Sequence, residues 1–99
     1  MTITSQINGS ELTVSPKGRI DTLTAPQLEE ALKALPPEVK TVIFDFGKVD
    51  YISSAGLRVL LATQKRMRQS GGDVAITRVA PAVQEVFEIT GFSGILNVR

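Results

Sequence analysis

The sequence predicts one α/β domain, spanning residues 1–99, in which helices pack against a mixed, mostly parallel sheet. Its length of 99 residues suffices for one hydrophobic core but not for two. Hydrophobic residues make up 42% of the chain and charged residues 21%, the balance of a globular protein. Short β-branched runs alternate with segments of helical period. Because strand–helix–strand units cross over with a right hand, this alternation predicts parallel strands.

The beginning of the chain predicts a β-hairpin. Apolar residues alternate with polar ones on both sides of Asn8-Gly9, a dipeptide typical of hairpin turns. These apolar residues are Ile3, Ile7, Leu12 and Val14. Residues 15–18 contain a proline and a glycine, so we expect a turn there and a brief strand at residues 19–20.

Three helices are predicted after the hairpin. Thr24, Pro26 and Gln27 form a capping-box start, and Pro36-Pro37 is expected to end the helix that follows. A second helix is predicted over residues 55–69, stopped by Gly71-Gly72. A third is opened by a proline and closed by a glycine. The proline is Pro81 and the glycine is Gly91. Strands between and after the helices are expected at residues 41–46, 74–76 and 95–98.

Composition excludes several classes of function. The net charge of +1 gives no reason to expect a nucleic-acid partner. The chain has no cysteine and no histidine, so it lacks thiolate nucleophiles and the commonest metal ligand and general base. Asp45 and Asp50 could hold a cation, but lone carboxylates at strand ends are more often solvated. With no long apolar run and no signal-peptide pattern, we expect a cytoplasmic chain without cofactor, metal or membrane insertion.

Residues 49–57, Val-Asp-Tyr-Ile-Ser-Ser-Ala-Gly-Leu, are the most informative segment. They lie where a buried strand passes into an amphipathic helix, so Ser53 or Ser54 is expected at the helix N-cap. A phosphate added there would gain from the helix dipole. Local features alone favour plain capping serines. A hydrolase is disfavoured because the Gly-x-Ser-x-Gly pattern and a histidine base are absent, although a serine–lysine pair with Ser54 as nucleophile stays an alternative.

This segment resembles the STAS domain, and in particular the stand-alone bacterial anti-sigma-factor antagonists. The similarity rests on residues 51–57, on Gly18-Arg19-Ile20-Asp21 before the first helix and on Gly71-Gly72-Asp73 after the second. It extends over essentially the whole chain. The resemblance implies a STAS-like fold and a regulatory function that depends on binding and not on catalysis.

The resemblance also implies partner switching. The unphosphorylated antagonist binds an anti-sigma factor that is itself a serine kinase, phosphorylation of one serine releases it, and a serine phosphatase resets the system. Within the same fold, the alternative is a non-switching STAS subunit of a lipid-transport complex or a stress-sensing scaffold.

Aligned with the family motif, Ser54 is the implied phosphoacceptor and Ser53 the second choice. The family often has an aspartate where this chain has Ser53, and commonly a serine or threonine where it has Ala55. The residues expected to bind the partner are Asp21, Thr22, Ser53, Ser54, Gly56, Leu57 and Arg58. The glycine is expected to let the partner's backbone approach the first helical turn closely.

Overall fold

The computed structural model describes residues 1–33 and 35–99. Its strands are β1 (Thr2–Asn8), β2 (Glu11–Ile20), β3 (Thr41–Asp45), β4 (Lys48–Ile52), β5 (Asp73–Thr77) and β6 (Asn97–Val98). Its helices are α1 (Ala25–Lys33), α2 (Ser54–Gln69) and α3 (Pro81–Ile89), and a 3-10 turn covers Phe92–Gly94. None of the described helices is both long and apolar enough to cross a membrane.

The strands form one sheet in the order β1-β2-β3-β5-β6, and β4 pairs with β2 beyond the end of β3. The hairpin strands β1 and β2 are antiparallel, and every other described pair is parallel. Leu12 of β2 lies opposite Val42 of β3, and Ile20 lies opposite Ile52 of β4. The predicted mixed, mostly parallel sheet is therefore confirmed.

The predicted turn at residues 15–18 is wrong, because β2 runs without interruption from Glu11 to Ile20. Strand β1 pairs with it from Glu11 to Lys17, β3 pairs with its first half as far as Val14, and β4 pairs with its last residues from Lys17 to Ile20. Strand pairing therefore overrides the local turn preference of proline and glycine. What remains of that preference is an irregularity between Gly18, whose φ is 107°, and Arg19.

Strand β4 was not predicted from the sequence. The irregularity pairs Gly18 with Val49 and Arg19 with Tyr51, so that Asp50 has no opposite residue. Val49 and Ile52 are buried, whereas the two residues between them are exposed. An extra residue of this kind destroys the period-2 alternation by which a half-buried strand is recognised in a sequence.

The core lies between the helices and one face of the sheet. In β2 and β3 buried residues alternate with half-buried ones, which is the pattern of a sheet with one covered face. Phe44, Phe46 and Phe87 are fully buried, and neighbouring ring centres in this group lie 6.1 and 6.4 Å apart. Helix α1 packs on α2, α2 on β4 and β5, and α3 on β4.

The helix boundaries agree with the capping residues in the sequence, with one exception. Gly71 and Gly91, with φ values of 80° and 79°, follow the ends of α2 and α3 as predicted. The exception is the capping box, since the Thr24 hydroxyl bonds to Arg19 and not to the helix. The predicted end of α1 before Pro36-Pro37 includes residue 34, which lies outside the described residues.

Candidate functional site

The predicted site residues meet at the carboxyl ends of β2 and β4. These strands are parallel neighbours, and Ile20 and Ile52 lie opposite each other at their last positions. The Ser53 N–H donates a hydrogen bond of 2.8 Å to the Ile20 carbonyl. Asp21 and Ser53 therefore leave the sheet side by side, and the loop at residues 21–24 lies next to the start of α2.

The loop at residues 21–24 is held by a dense set of hydrogen bonds. The Asp21 carboxylate accepts from the Leu23 and Thr24 N–H groups at 3.0 and 3.1 Å. The Thr24 hydroxyl accepts from the Asp21 N–H at 2.8 Å and donates to the Arg19 carbonyl at 2.6 Å. The Asp21 carboxylate and the Thr24 hydroxyl are thus bonded within the loop and to the adjoining strand, which holds the loop in one conformation in the free domain.

Asp21 stays ionised at neutral pH. The hydrogen bond from the Thr24 N–H is the largest cause that lowers the pKa of this carboxyl group, and the bond from the Leu23 N–H lowers it further. Arg19, whose Nε lies 3.8 Å from a carboxylate oxygen, adds an attraction. The Arg19 guanidinium also lies over the Tyr51 ring, 4.2 Å from its centre, which links the loop to β4.

The two adjacent serines have different surroundings. Ser53 is the N-cap of α2, with extended backbone angles, but its hydroxyl makes no capping hydrogen bond. That hydroxyl oxygen is buried and has no hydrogen-bond partner among the described residues. Ser54 is the first residue of the helix, and its side chain is exposed. The sequence left open which serine is the cap, and the structure assigns this position to Ser53.

Gly56 and Leu57 face the core. A Cβ atom at residue 56 would lie 2.5 Å from Cγ2 of Ile20 and 2.7 Å from Cγ1 of Ile52. The absence of a side chain at Gly56 thus leaves room for Ile20 and Ile52, which are fully buried. This corrects the expectation from the sequence that the glycine makes room for the backbone of a partner. Leu57 is only 3% exposed. Both residues fix how closely the start of α2 lies on the ends of β2 and β4.

Thr22 and Arg58 are exposed and lie near each other across a shallow groove between α1 and α2. Ala55 contributes to the floor of this groove. Arg58 follows Ser54 by four positions in α2, so both project from the same side of the helix. The structure thus brings together the predicted residues at one surface, with Gly56 and Leu57 beneath it.

Sequence reasoning missed Leu23, whose residue surface is 83% exposed. It is an apolar side chain at the tip of the rigid loop, beside the start of α2. It is the most exposed of the large apolar residues in the described part of the chain, and it lies in the loop that adjoins Ser53 and Ser54. The signal available in the sequence was an apolar residue between two threonines, outside any periodic segment.

Comparison with known proteins identifies the family of the chain. The family model described as the STAS domain matches residues 2–99. The chain belongs to the STAS domain family. BtrV of Bordetella bronchiseptica, named a candidate anti-sigma factor antagonist, is 43% identical over 83 residues, which are 83% of this chain and 72% of that protein.

Solved structures of the same fold are similar over almost the whole chain. An anti-sigma factor antagonist from Mycobacterium paratuberculosis has a TM-score of 0.83 and 28% identity, covering 98% of this chain and 83% of that one. SpoIIAA of Bacillus has been solved in unphosphorylated and phosphorylated forms, with TM-scores of 0.81 and 0.76. Each form is 15% identical to this STAS domain, and each match covers 99% of this chain. The match covers 88% of the unphosphorylated protein and 91% of the phosphorylated one.

Proposed function

We propose that this STAS domain is an anti-sigma factor antagonist that acts by partner switching. In its unphosphorylated form it binds an anti-sigma factor that is also a serine kinase. Phosphorylation of Ser54 releases the complex, and a serine phosphatase restores the first state. The relatives named as anti-sigma factor antagonists support the role. Because such an antagonist regulates transcription, we propose a cytoplasmic location.

The difference in exposure between the two serines carries the proposal. A kinase must bring the γ-phosphate of ATP in line with the attacking hydroxyl oxygen, so that oxygen must be accessible. Ser54 is exposed at the surface, whereas the hydroxyl oxygen of Ser53 is buried. Ser54 is therefore the phosphoacceptor that this geometry favours over Ser53.

The charge of the phosphate provides the mechanism of release. Phosphoserine carries about −1.5 to −2 charges at neutral pH. Within the domain, the free N–H groups of the first turn of α2 and the helix dipole tolerate that charge. In the complex, the same charge would be buried against a surface that accepted a neutral hydroxyl, at a cost of several kcal/mol. Phosphorylation therefore weakens the complex and leaves the fold intact.

The proposed partner surface consists of one exposed apolar side chain, that of Leu23, with polar groups around it. Leu23 projects from the loop, Asp21 and Thr22 flank it, and Arg58 lies across the groove from Thr22. Because the loop is held by its own hydrogen bonds, little conformational entropy is lost when the partner binds. Gly56 and Leu57 support this surface from below and make no side-chain contact with the partner.

The position of Ser54 favours a role in regulated binding over a role as a catalytic nucleophile. Its hydroxyl makes no hydrogen bond to any described side chain, so no general base is positioned to activate it. SpoIIAA, which shares the fold, has been solved with phosphate attached, which supports only that this fold accommodates a phosphorylated form. A STAS subunit that binds its partner without switching is the second candidate, and the same experiment distinguishes it.

The test uses the kinase-type anti-sigma factor encoded in the same genome. The domain is incubated with it and ATP, and the modified residue is mapped by mass spectrometry. Titration calorimetry with ADP then compares Ser54→Ala, Ser54→Asp and Ser53→Ala. We expect phosphate on Ser54, tight binding by both alanine variants and binding weakened roughly tenfold or more by aspartate.

Two outcomes would contradict the proposal. Phosphate found on Ser53 alone would show that local opening, and not surface exposure, selects the serine. A Ser54→Asp variant that is folded by circular dichroism and binds as tightly as the unmodified domain would identify a partner-binding subunit without a switch.

A further inference from the structure

The sheet has a second concave surface on the face opposite the buried one. It is a depression of about 400 Å³ where β1, β2 and the junction of β3 and β4 meet the end of β5. Three of its residues, Lys17, Lys48 and Arg78, are cationic, and Asp45 is its one carboxylate. We propose that this basic depression is a binding site for a small phosphate-class anion, independent of the switch at Ser54.

The two lysines of the basic depression oppose each other. Lys17 of β2 and Lys48 of β4 are register partners in neighbouring parallel strands, so their side chains lie on the same face. Neither has a carboxylate within ion-pair distance in the part of the chain that the structure describes. Like charges directly opposite each other destabilise a sheet. A bound anion between the two ammonium groups would convert this repulsion into two attractions.

The third cation is fixed in place. Arg78 donates from Nε and from one terminal nitrogen to the two carboxylate oxygens of Asp45, each at 2.8 Å. Its guanidinium lies against Gly47, where a Cβ atom would be 2.7 Å from Cζ. Its backbone φ of 57° is in the left-handed region, which is uncommon for arginine. The Asp45 carboxylate and Gly47 thus orient this guanidinium in the same depression as the lysines, although its side chain is 66% exposed.

The lining indicates the class of ligand. With three cations and one carboxylate, which is paired with Arg78, the basic depression has an excess of positive charge. The hydroxyl groups of Thr2 and Ser15 border it and can donate hydrogen bonds to an oxyanion, whereas the Thr4 hydroxyl donates to the Ser15 carbonyl at 3.5 Å. The lining has no aromatic residue on which a nucleobase could stack. The site therefore suits the phosphate groups themselves, whether free or carried by a nucleotide.

The proposal is tested by titrating the ¹⁵N-labelled domain with inorganic phosphate, pyrophosphate and ADP at constant ionic strength. Chemical shifts of β2 amides and of the Arg78 side chain report binding. We expect saturable shifts, tighter binding of pyrophosphate than of phosphate because it carries more charge, and no gain from the adenosine of ADP. An ADP affinity well above that of pyrophosphate would overturn the proposal of a site for phosphate groups alone.

A double variant, Lys17→Gln with Lys48→Gln, provides the decisive comparison. We expect it to lose affinity for pyrophosphate by about tenfold or more and to melt at a higher temperature than the unmodified domain without ligand, because the repulsion is gone. Lys65→Gln, an exposed lysine of α2, is the matched control and should change neither quantity. Equal pyrophosphate affinity in the double variant and in the control would overturn the proposal.

Discussion

The loop at residues 21–24 and the start of α2 lie side by side at one edge of the sheet, but they differ in how their polar groups are satisfied. In the loop, the Asp21 carboxylate and the Thr24 hydroxyl have close partners. At the helix start, the Ser53 hydroxyl is buried with no hydrogen-bond partner in the described part of the chain, and Ser54 is exposed to water. The two regions meet through the hydrogen bond from the Ser53 N–H to the Ile20 carbonyl.

This difference fits the proposed function, in which the loop keeps its conformation and the start of α2 is modified. A rigid loop can hold Leu23 in a binding-ready position. The Ser54 hydroxyl has no hydrogen bond to a described side chain, so in the proposed mechanism a phosphate is added without breaking a native interaction. Mutations at Gly56, Leu23, Thr24 and Ser53, together with the titration of Asp21, test whether the two regions differ in this way.

The largest loss of stability is expected from Gly56→Val, because residue 56 lies where the start of α2 packs on the ends of β2 and β4. The added side chain would overlap Ile20 and Ile52, each no more than 1% exposed. We expect the free energy of unfolding to fall by about 3 kcal/mol, measured by urea denaturation. Gly94→Ala is the control, because among the described residues no heavy atom beyond its chain neighbours lies within 4 Å of the Cβ position there. A folded, fully stable valine variant with reduced partner affinity would show that the glycine serves the partner surface instead.

Leu23→Ala is expected to weaken binding of the anti-sigma factor by about 2 kcal/mol, or roughly thirtyfold, because truncating a central apolar anchor costs this much in protein interfaces. The melting temperature should not change, since the residue is 83% exposed in the free domain. Ile89→Ala removes a side chain of similar exposure, 77%, at the end of α3. If calorimetry finds that both variants lose the same affinity for the anti-sigma factor, the loop is not part of the interface.

A pair of hydroxyl deletions compares the regions directly. Thr24→Ala should lower the free energy of unfolding by about 1–2 kcal/mol, because it leaves the Asp21 N–H and the Arg19 carbonyl without their partner. Ser53→Ala should change it by only a few tenths of a kcal/mol, because that hydroxyl bonds to none of the described residues. Thr24→Ser keeps the hydroxyl and controls for the methyl group. A loss of about 1 kcal/mol at Ser53 would mean that it caps α2 in solution.

The smallest effect is a titration confined to the loop. The folded-state pKa of Asp21 lies below the ordinary value of 3.8, so its stabilising contribution is fully present above that value and is lost as the pH falls through the lowered pKa. The amide signals of Leu23 and Thr24 should move in that acidic range, whereas those of Ser54 and Ala55 should not. Asp21→Asn keeps a hydrogen-bond acceptor without a charge and should abolish the titration. Amides that titrate equally in both regions would show that the loop and the helix start are one electrostatic unit.

The sequence was sufficient wherever local chemistry decides the structure. The start and end of α2 were predicted within one residue, because apolar spacing and Gly71-Gly72 are local signals. Pro81 and Gly91 marked α3 in the same way. Strand β4 and the unbroken β2 were not predicted, since both depend on pairing between segments about thirty residues apart, as the register of Ile20 with Ile52 shows.

Hydrophobic periodicity and motif spacing were enough to predict an α/β domain with adjacent serines at the start of its second helix. The folded structure was needed to find which hydroxyl is exposed, that Gly56 faces Ile20 and Ile52, and that Lys17 opposes Lys48. Exposure and charge repulsion depend on distances between residues that are far apart in the chain. Those distances are set by sheet register and helix packing, which no local pattern contains.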